Sequence, residues 1–149
     1  MSLKQLNIFV QNKKVALVEI TEALASHGVN IRALSIADTE EFGILRLIVN
    51  DNETASKILA DKEYLIKIIE VVGVKIGDAP GKLSTALEVL DKEDINVEYL
   101  YAFMARTEKH AYVVLRVADN ALAEEALEKA GYHMITDADI NKLKYILKI

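Results

Sequence analysis

The sequence predicts an α+β fold of two tandem βαββαβ units, each a four-stranded antiparallel sheet with two helices on one face. Three observations predict it. The chain of 149 residues repeats itself, each repeat switches hydrophobic period in the same order, and a composition of 52% apolar and 28% charged residues is that of compact domains.

The repeat is direct. "NKKVALVEITEALASHGVNIRALSIA" from Asn12 lies over "DAPGKLSTALEVLDKEDINVEYLYAF" from Asp78 at an offset of 66, which sets Leu17 on Leu83, Leu24 on Leu90 and Asn30 on Asn96. Further on, "ILRLIVNDN" from Ile44 meets "YVVLRVADN" from Tyr112 at an offset of 68, so the turn between carries two extra residues in the second copy. Turns absorb such insertions readily.

Each copy opens on strand alternation, Leu6, Ile8 and Val10 in the first and Val72, Val74 and Ile76 in the second. Helical spacing follows, with Leu17, Ile20 and Leu24, then Leu83, Leu87 and Leu90, ending near His27-Gly28 and Glu93-Asp94. Two more alternating runs come next, near residues 30 to 37 and 44 to 50, and again near 96 to 104 and 111 to 118, joined by the polar turns "DTEEFG" and "RTEKH". "ETASKILADK" and "NALAEEALEKAG" read as second helices, and "YLIKIIE" and "YHMIT" as last strands. The order is that of a split βαβ, or ferredoxin-like, unit. The boundary falls inside "IIEVVGVKI", giving units 1–70 and 71–149, the second with a short C-terminal extension in which Asp137 is a candidate cap and Ile140 and Leu143 anchors.

The third strand of each unit turns Leu45, Leu47 and Val49, or Val113, Leu115 and Val117, toward the helices, and leaves Ile44, Ile48, Tyr112 and Val114 opposite. Tyr99, Tyr101 and Phe103 share a face where the first unit has Ala33, Ser35 and Ala37. The second unit therefore carries apolar side chains on both sheet faces, and its helix-free face is expected to be covered.

Several function classes drop out. The net charge is −5 with acids and bases interspersed, which leaves no footprint for nucleic acid or an anionic membrane. There is no cysteine, no signal-like apolar segment and no run long enough to span a bilayer, so the expected location is the cytoplasm. His27, His110 and His133 have no metal-ligand spacing, Glu40, Glu41, Glu93 and Asp94 read as solvated turn charges, and no nucleophile or phosphate-loop motif occurs; no enzyme, cofactor or metal is expected. An RNA-recognition motif places its aromatics on the first and third strands among basic residues, unlike the second-strand trio here, which reads as packing.

One stretch stands apart. "IGDAPGKLSTALEVL", Ile76 to Leu90, sets the only proline beside a glycine at the first strand-to-helix turn of the second unit. An Asp before a helix commonly serves as its cap. A glycine also leaves the first helical N–H groups uncovered at the positive end of the helix, where a carboxylate or phosphate can dock.

"DAPGKL" followed by "DINVEYLYAF", repeated as "NKKVAL" and "GVNIRALSIA", resembles the ACT domain, the small-molecule-sensing module of amino-acid metabolism, in two tandem copies over nearly the whole chain. The resemblance implies a free amino acid as ligand, bound at an interface between ACT units, with polar contacts from Asp78 and Asn96 and their counterparts Asn12 and Asn30. Ala79, Gly81, Lys82 and Leu83 line that site. The first unit departs from the pattern, having Lys14-Val15 where Pro80-Gly81 stands, and a β-branched residue resists positive φ. The resemblance further implies a regulatory homodimer. Its alternative is an interaction subunit of a metabolic enzyme, like the small chain of acetolactate synthase.

Overall fold

The computed structural model describes residues 3–11, 13–38, 42–104 and 109–140, so Asn12, Glu40, Glu41 and Leu143 lie outside the described residues. The chain forms β1 (Leu3–Val10), α1 (Lys13–Ser26), β2 (Ile31–Asp38), β3 (Gly43–Val49), α2 (Asn52–Asp61), β4 (Leu65–Gly77), α3 (Lys82–Lys92), β5 (Val97–Ala102), β6 (His110–Val117), α4 (Asn120–Lys129) and β7 (His133–Ile135). It divides into two compact units, one of Lys4–Ile69 and one built from Glu70 onward together with Leu3. The last strand of one repeat and the first of the next are a single strand, β4.

In the first unit β3 pairs antiparallel with β1, Leu6 opposite Leu47 and Ile8 opposite Leu45, and with β2, Leu34 opposite Leu47. The strand order there is β2-β3-β1-β4. In the second unit β6 pairs antiparallel with β4 and β5, and β7 adds to the free side of β4 through Val74 and Met134. Each unit buries the apolar rows named by the sequence: Leu6, Ile8, Leu45, Leu47, Ile20 and Leu24 in one, Val72, Val74, Val113, Leu115 and Leu90 in the other, where Leu127 joins them. Leu83 is a correction. It is exposed, lining a shallow hollow at the first turn of α3, and α3 packs instead through Ala86 and Leu90.

The helix-free face of the second unit is buried, with Tyr101, Phe103, Tyr112 and Val114 all below a tenth exposed. Tyr99 stacks on Tyr101 at 6.4 Å, and Phe103 meets Tyr112 edge-on at 6.2 Å. A β-bulge makes this placement work. The register shifts between Val97 and Tyr99, so Val97 packs on the helix side while Tyr99, two residues on, turns away. The first unit shifts register at the equivalent place, between Ile31 and Ala33, which makes Arg32 the extra residue.

Helices α1 to α4 end alike. The residue after each C-cap is left-handed, Gly28 (φ 72°), Glu63 (65°), Asp94 (57°) and Gly131 (94°). The following N–H reaches back to the third residue from the helix end: Val29 to Leu24, Tyr64 to Leu59, Ile95 to Leu90 and Tyr132 to Leu127, each at 2.9–3.0 Å. Past β7, Thr136 and not Asp137 caps the next turn, donating its N–H and hydroxyl to the Asp139 carboxylate at 3.0 and 3.1 Å, and Ile140 is buried.

Candidate ligand site at the start of α3

β4 ends at Gly77 and the chain turns at once into α3. Asp78 N–H donates to the Lys109 carbonyl at 2.9 Å, which fastens the turn to the approach of β6. Lys82 N–H then donates to the Ala79 carbonyl at 3.1 Å across Pro80 and Gly81. Gly81 has φ 86° and ψ −9°, so the four residues follow the type II pattern, with proline first and a left-handed glycine second of the central pair.

Gly81, not Asp78, is therefore the N-cap of α3, and it makes no side-chain cap bond. The cap expected of Asp78 is not formed, because the turn places it three residues ahead of the N-cap. Thr85 closes the first turn, its N–H and its hydroxyl both donating to the Gly81 carbonyl at 2.9 Å. The N–H groups of Leu83 and Ser84 find no acceptor among the described residues, and no acidic residue stands in the first turn to neutralise the positive helix end.

Asp78, Ala79, Gly81, Lys82 and Leu83 are all exposed here. A shallow hollow of about 540 Å³ runs from Gly81 and Leu83 past Ser84 and Leu87 to Glu88 and Asp91. Two unpartnered amides, an apolar pair and two carboxylates thus lie along one helix face. Of the two carboxylates, Glu88 lies one turn from the open amides and Asp91 at the far end of the helix. Ser84, Glu88 and Asp91 were not singled out by sequence; their spacing of four and three along α3 is the signal that names them.

Asn96 is not brought to this turn. It stands past the far end of α3, where it lines a hollow of about 360 Å³ with Asp94, Ile95 and Val97 that adjoins the first along Leu87 and Asp91. The eleven residues of α3 put roughly 16 Å between the two places. In the first unit, Asn30 is held by its backbone, its N–H donating to Asn50 Oδ1 at 2.8 Å and its carbonyl accepting from Asn50 N–H at 3.2 Å. Among the described residues no group of three or more His, Asp or Glu is placed to hold a metal ion, and no helix is long and apolar enough to cross a membrane.

The sequence model of the ACT domain pair matches residues 1–144. A solved protein from Bacteroides thetaiotaomicron is 37% identical, covers 94% of this chain and 96% of its own, and superposes with a TM-score of 0.87. The ligand-free regulatory subunit of aspartate kinase from Thermus thermophilus shares the fold at 14% identity, with a TM-score of 0.61 over 87% of this chain and 93% of that one. No curated protein matches the chain. With a family match over almost its full length, and a fold of two βαββαβ units to go with it, this chain belongs to the ACT domain pair family.

Proposed function

We propose that the protein is a cytoplasmic regulatory protein, not an enzyme, that binds a free amino acid at the start of α3 and works as a homodimer, the ligand lying between ACT units of two copies. The observation that carries this reading is the uncapped, left-handed Gly81 turn, which leaves the Leu83 and Ser84 N–H groups open at the positive end of a helix. Those groups suit an α-carboxylate. Asp78 in the turn, or Glu88 one helical turn on from Ser84, suits the ammonium, and the exposed Leu83 supplies apolar contact.

Binding regulates only through a difference in affinity between two states of an assembly, and a ligand held between two copies supplies that difference directly. The test is a thermal-shift screen of the twenty amino acids on the wild type and on Asp78→Ala/Asn96→Ala. A ligand bound only by the folded state raises the melting temperature, by an amount that grows with its concentration. The expected result is a shift confined to one chemical class and lost in the double variant; no shift with any amino acid sinks the proposal.

A second reading, an interaction subunit for a metabolic enzyme, is favoured by likeness in fold and extent to a separate regulatory subunit of aspartate kinase, 93% of which this chain covers. It predicts a stoichiometric enzyme in the purified complex, with or without ligand.

A further inference from the structure

A larger hollow, of about 670 Å³, lies at the end of the first unit, between the close of β1, the first turn of α1 and the turn from α2 into β4. It is within the size range of small-molecule sites. Phe9 and Phe42 form one wall, their rings tilted at 6.4 Å, and Tyr64 forms another. The Tyr64 phenol is hydrogen-bonded to Glu19, and burial together with that carboxylate pushes its pKa up; Lys62 in turn sits 3.8 Å from Glu19. Val15 and Leu65 leave 56% and 69% of their surface open, and the polar lining is Gln11 and Glu63. Among the described residues the lining contains a carboxylate and no cation.

The second unit is an internal control for this hollow. At the offset of 66, Phe9, Gln11 and Ala16 answer to Lys75, Gly77 and Lys82; at 68, Glu63 and Leu65 answer to Gly131 and His133. There the Lys82 chain lies over Gly77, its Cγ, Cδ and Cε 3.1, 3.2 and 3.4 Å from where a Cβ on that glycine would stand. Ala16 in place of Lys82 therefore leaves the space open in the first unit. Two lysines and a histidine have given way to apolar residues, and a glycine to a glutamate. Both the shape and the sign of the charge are reversed.

An apolar, aromatic-walled hollow whose charged group is a carboxylate fits an organic cation. We propose that it binds a primary amine with an apolar body of aromatic size, the ammonium on Glu63 and the body against Phe9, Phe42 and Tyr64. This site is independent of the amino-acid site at α3.

The test is calorimetric titration of the full chain with 2-phenylethylamine, its neutral analogue 2-phenylethanol and the anion 3-phenylpropanoate. Binding of the amine is expected, with the alcohol weaker by roughly tenfold or more and the anion not bound, since a charge-assisted hydrogen bond is at stake. Glu63→Gln and Glu63→Gly are each expected to weaken the amine by roughly the same factor, and Asp78→Ala to leave it unchanged. Glu63→Gly carries the residue the second unit uses at this left-handed position, so its loss of binding is not a loss of folding. No heat with millimolar amine, equal affinity for amine and alcohol, full binding by Glu63→Gly, or loss in Asp78→Ala each overturns the proposal.

Discussion

The four helix ends permit a stability prediction with a worked sign and size. Each ends on a left-handed residue with the same backbone hydrogen bonds, yet two ends use glycine and two use an acid. A left-handed conformation costs an ordinary L-residue about 1–2 kcal/mol, and glycine escapes this but loses about 0.5–1 kcal/mol more chain entropy on folding. The difference leaves Glu63→Gly more stable by roughly 0.5–1 kcal/mol. Asp94→Gly gains less, a few tenths, because Asp tolerates the left-handed region better. Gly131→Glu runs the exchange backwards in the other unit, and nothing lies within 4 Å of its new Cβ, so the conformational cost stands alone with the opposite sign. Equilibrium urea unfolding followed by circular dichroism reads all three as midpoint shifts. The reasoning is refuted if Glu63→Gly lowers the midpoint, or if Gly131→Glu leaves it unmoved.

Three further outcomes follow from single residues. Gly81→Ala meets open space, yet it is expected to cost about 1 kcal/mol through its left-handed φ of 86°, visible as an earlier urea midpoint, whereas Gly81→Asn costs less. Asp51 accepts from the Thr54 hydroxyl at 2.6 Å and its N–H at 3.1 Å, and these bonds hold its carboxyl below the ordinary range. A folded-state pKa below the unfolded one means that this contribution is complete above about pH 4 and disappears as pH falls through the folded value, so Asp51→Asn flattens the acid limb of stability against pH. Arg32 is 5% exposed with Nε and Nη2 unpartnered, and burial lowers its pKa. Arg32→Met is therefore expected to stabilise the fold by about 1–3 kcal/mol, and a loss of more than about 1 kcal/mol contradicts that account.

The architecture was legible because the chain states it twice. A single copy of "IRALSIAD" or "VEYLYA" reads weakly, but two copies at one offset, each between the same neighbours, leave one element order. What escaped was local. Neither bulge shows in the sequence, since an extra residue at Arg32 leaves the apolar count of the strand unchanged and only moves the side chains after it to the other face. Asp78 reads as a cap because Asp before a helix usually is one; Pro80 and Gly81 overrule it by closing a turn of their own, which moves the cap to glycine. The hollow of the first unit was written in the differences between the copies, Ala16 for Lys82 and Glu63 for Gly131. Reading it required the direction of the Lys82 chain, which only the fold supplies.

The length of α3 decides how the proposed ligand site is assembled. Its two ends stand roughly 16 Å apart, several times the reach of an amino-acid backbone, so Asp78 and Asn96 of one unit cannot both touch the same molecule. If both residues bind ligand, each does so with the other end of a second copy, and in a symmetric dimer every site takes one residue from each chain. Two inactive variants must then rescue each other. Mixing Asp78→Ala with Asn96→Ala chains and letting subunits exchange makes half the dimers mixed, and each mixed dimer has one site with both residues native and one with neither. About a quarter of the wild-type binding capacity is expected to return, at wild-type affinity, measured by titration before and after exchange. A site built within one chain gives no recovery, because no chain in the mixture carries both residues. Capacity that stays at zero after exchange therefore removes the shared site, even if the wild type binds an amino acid tightly.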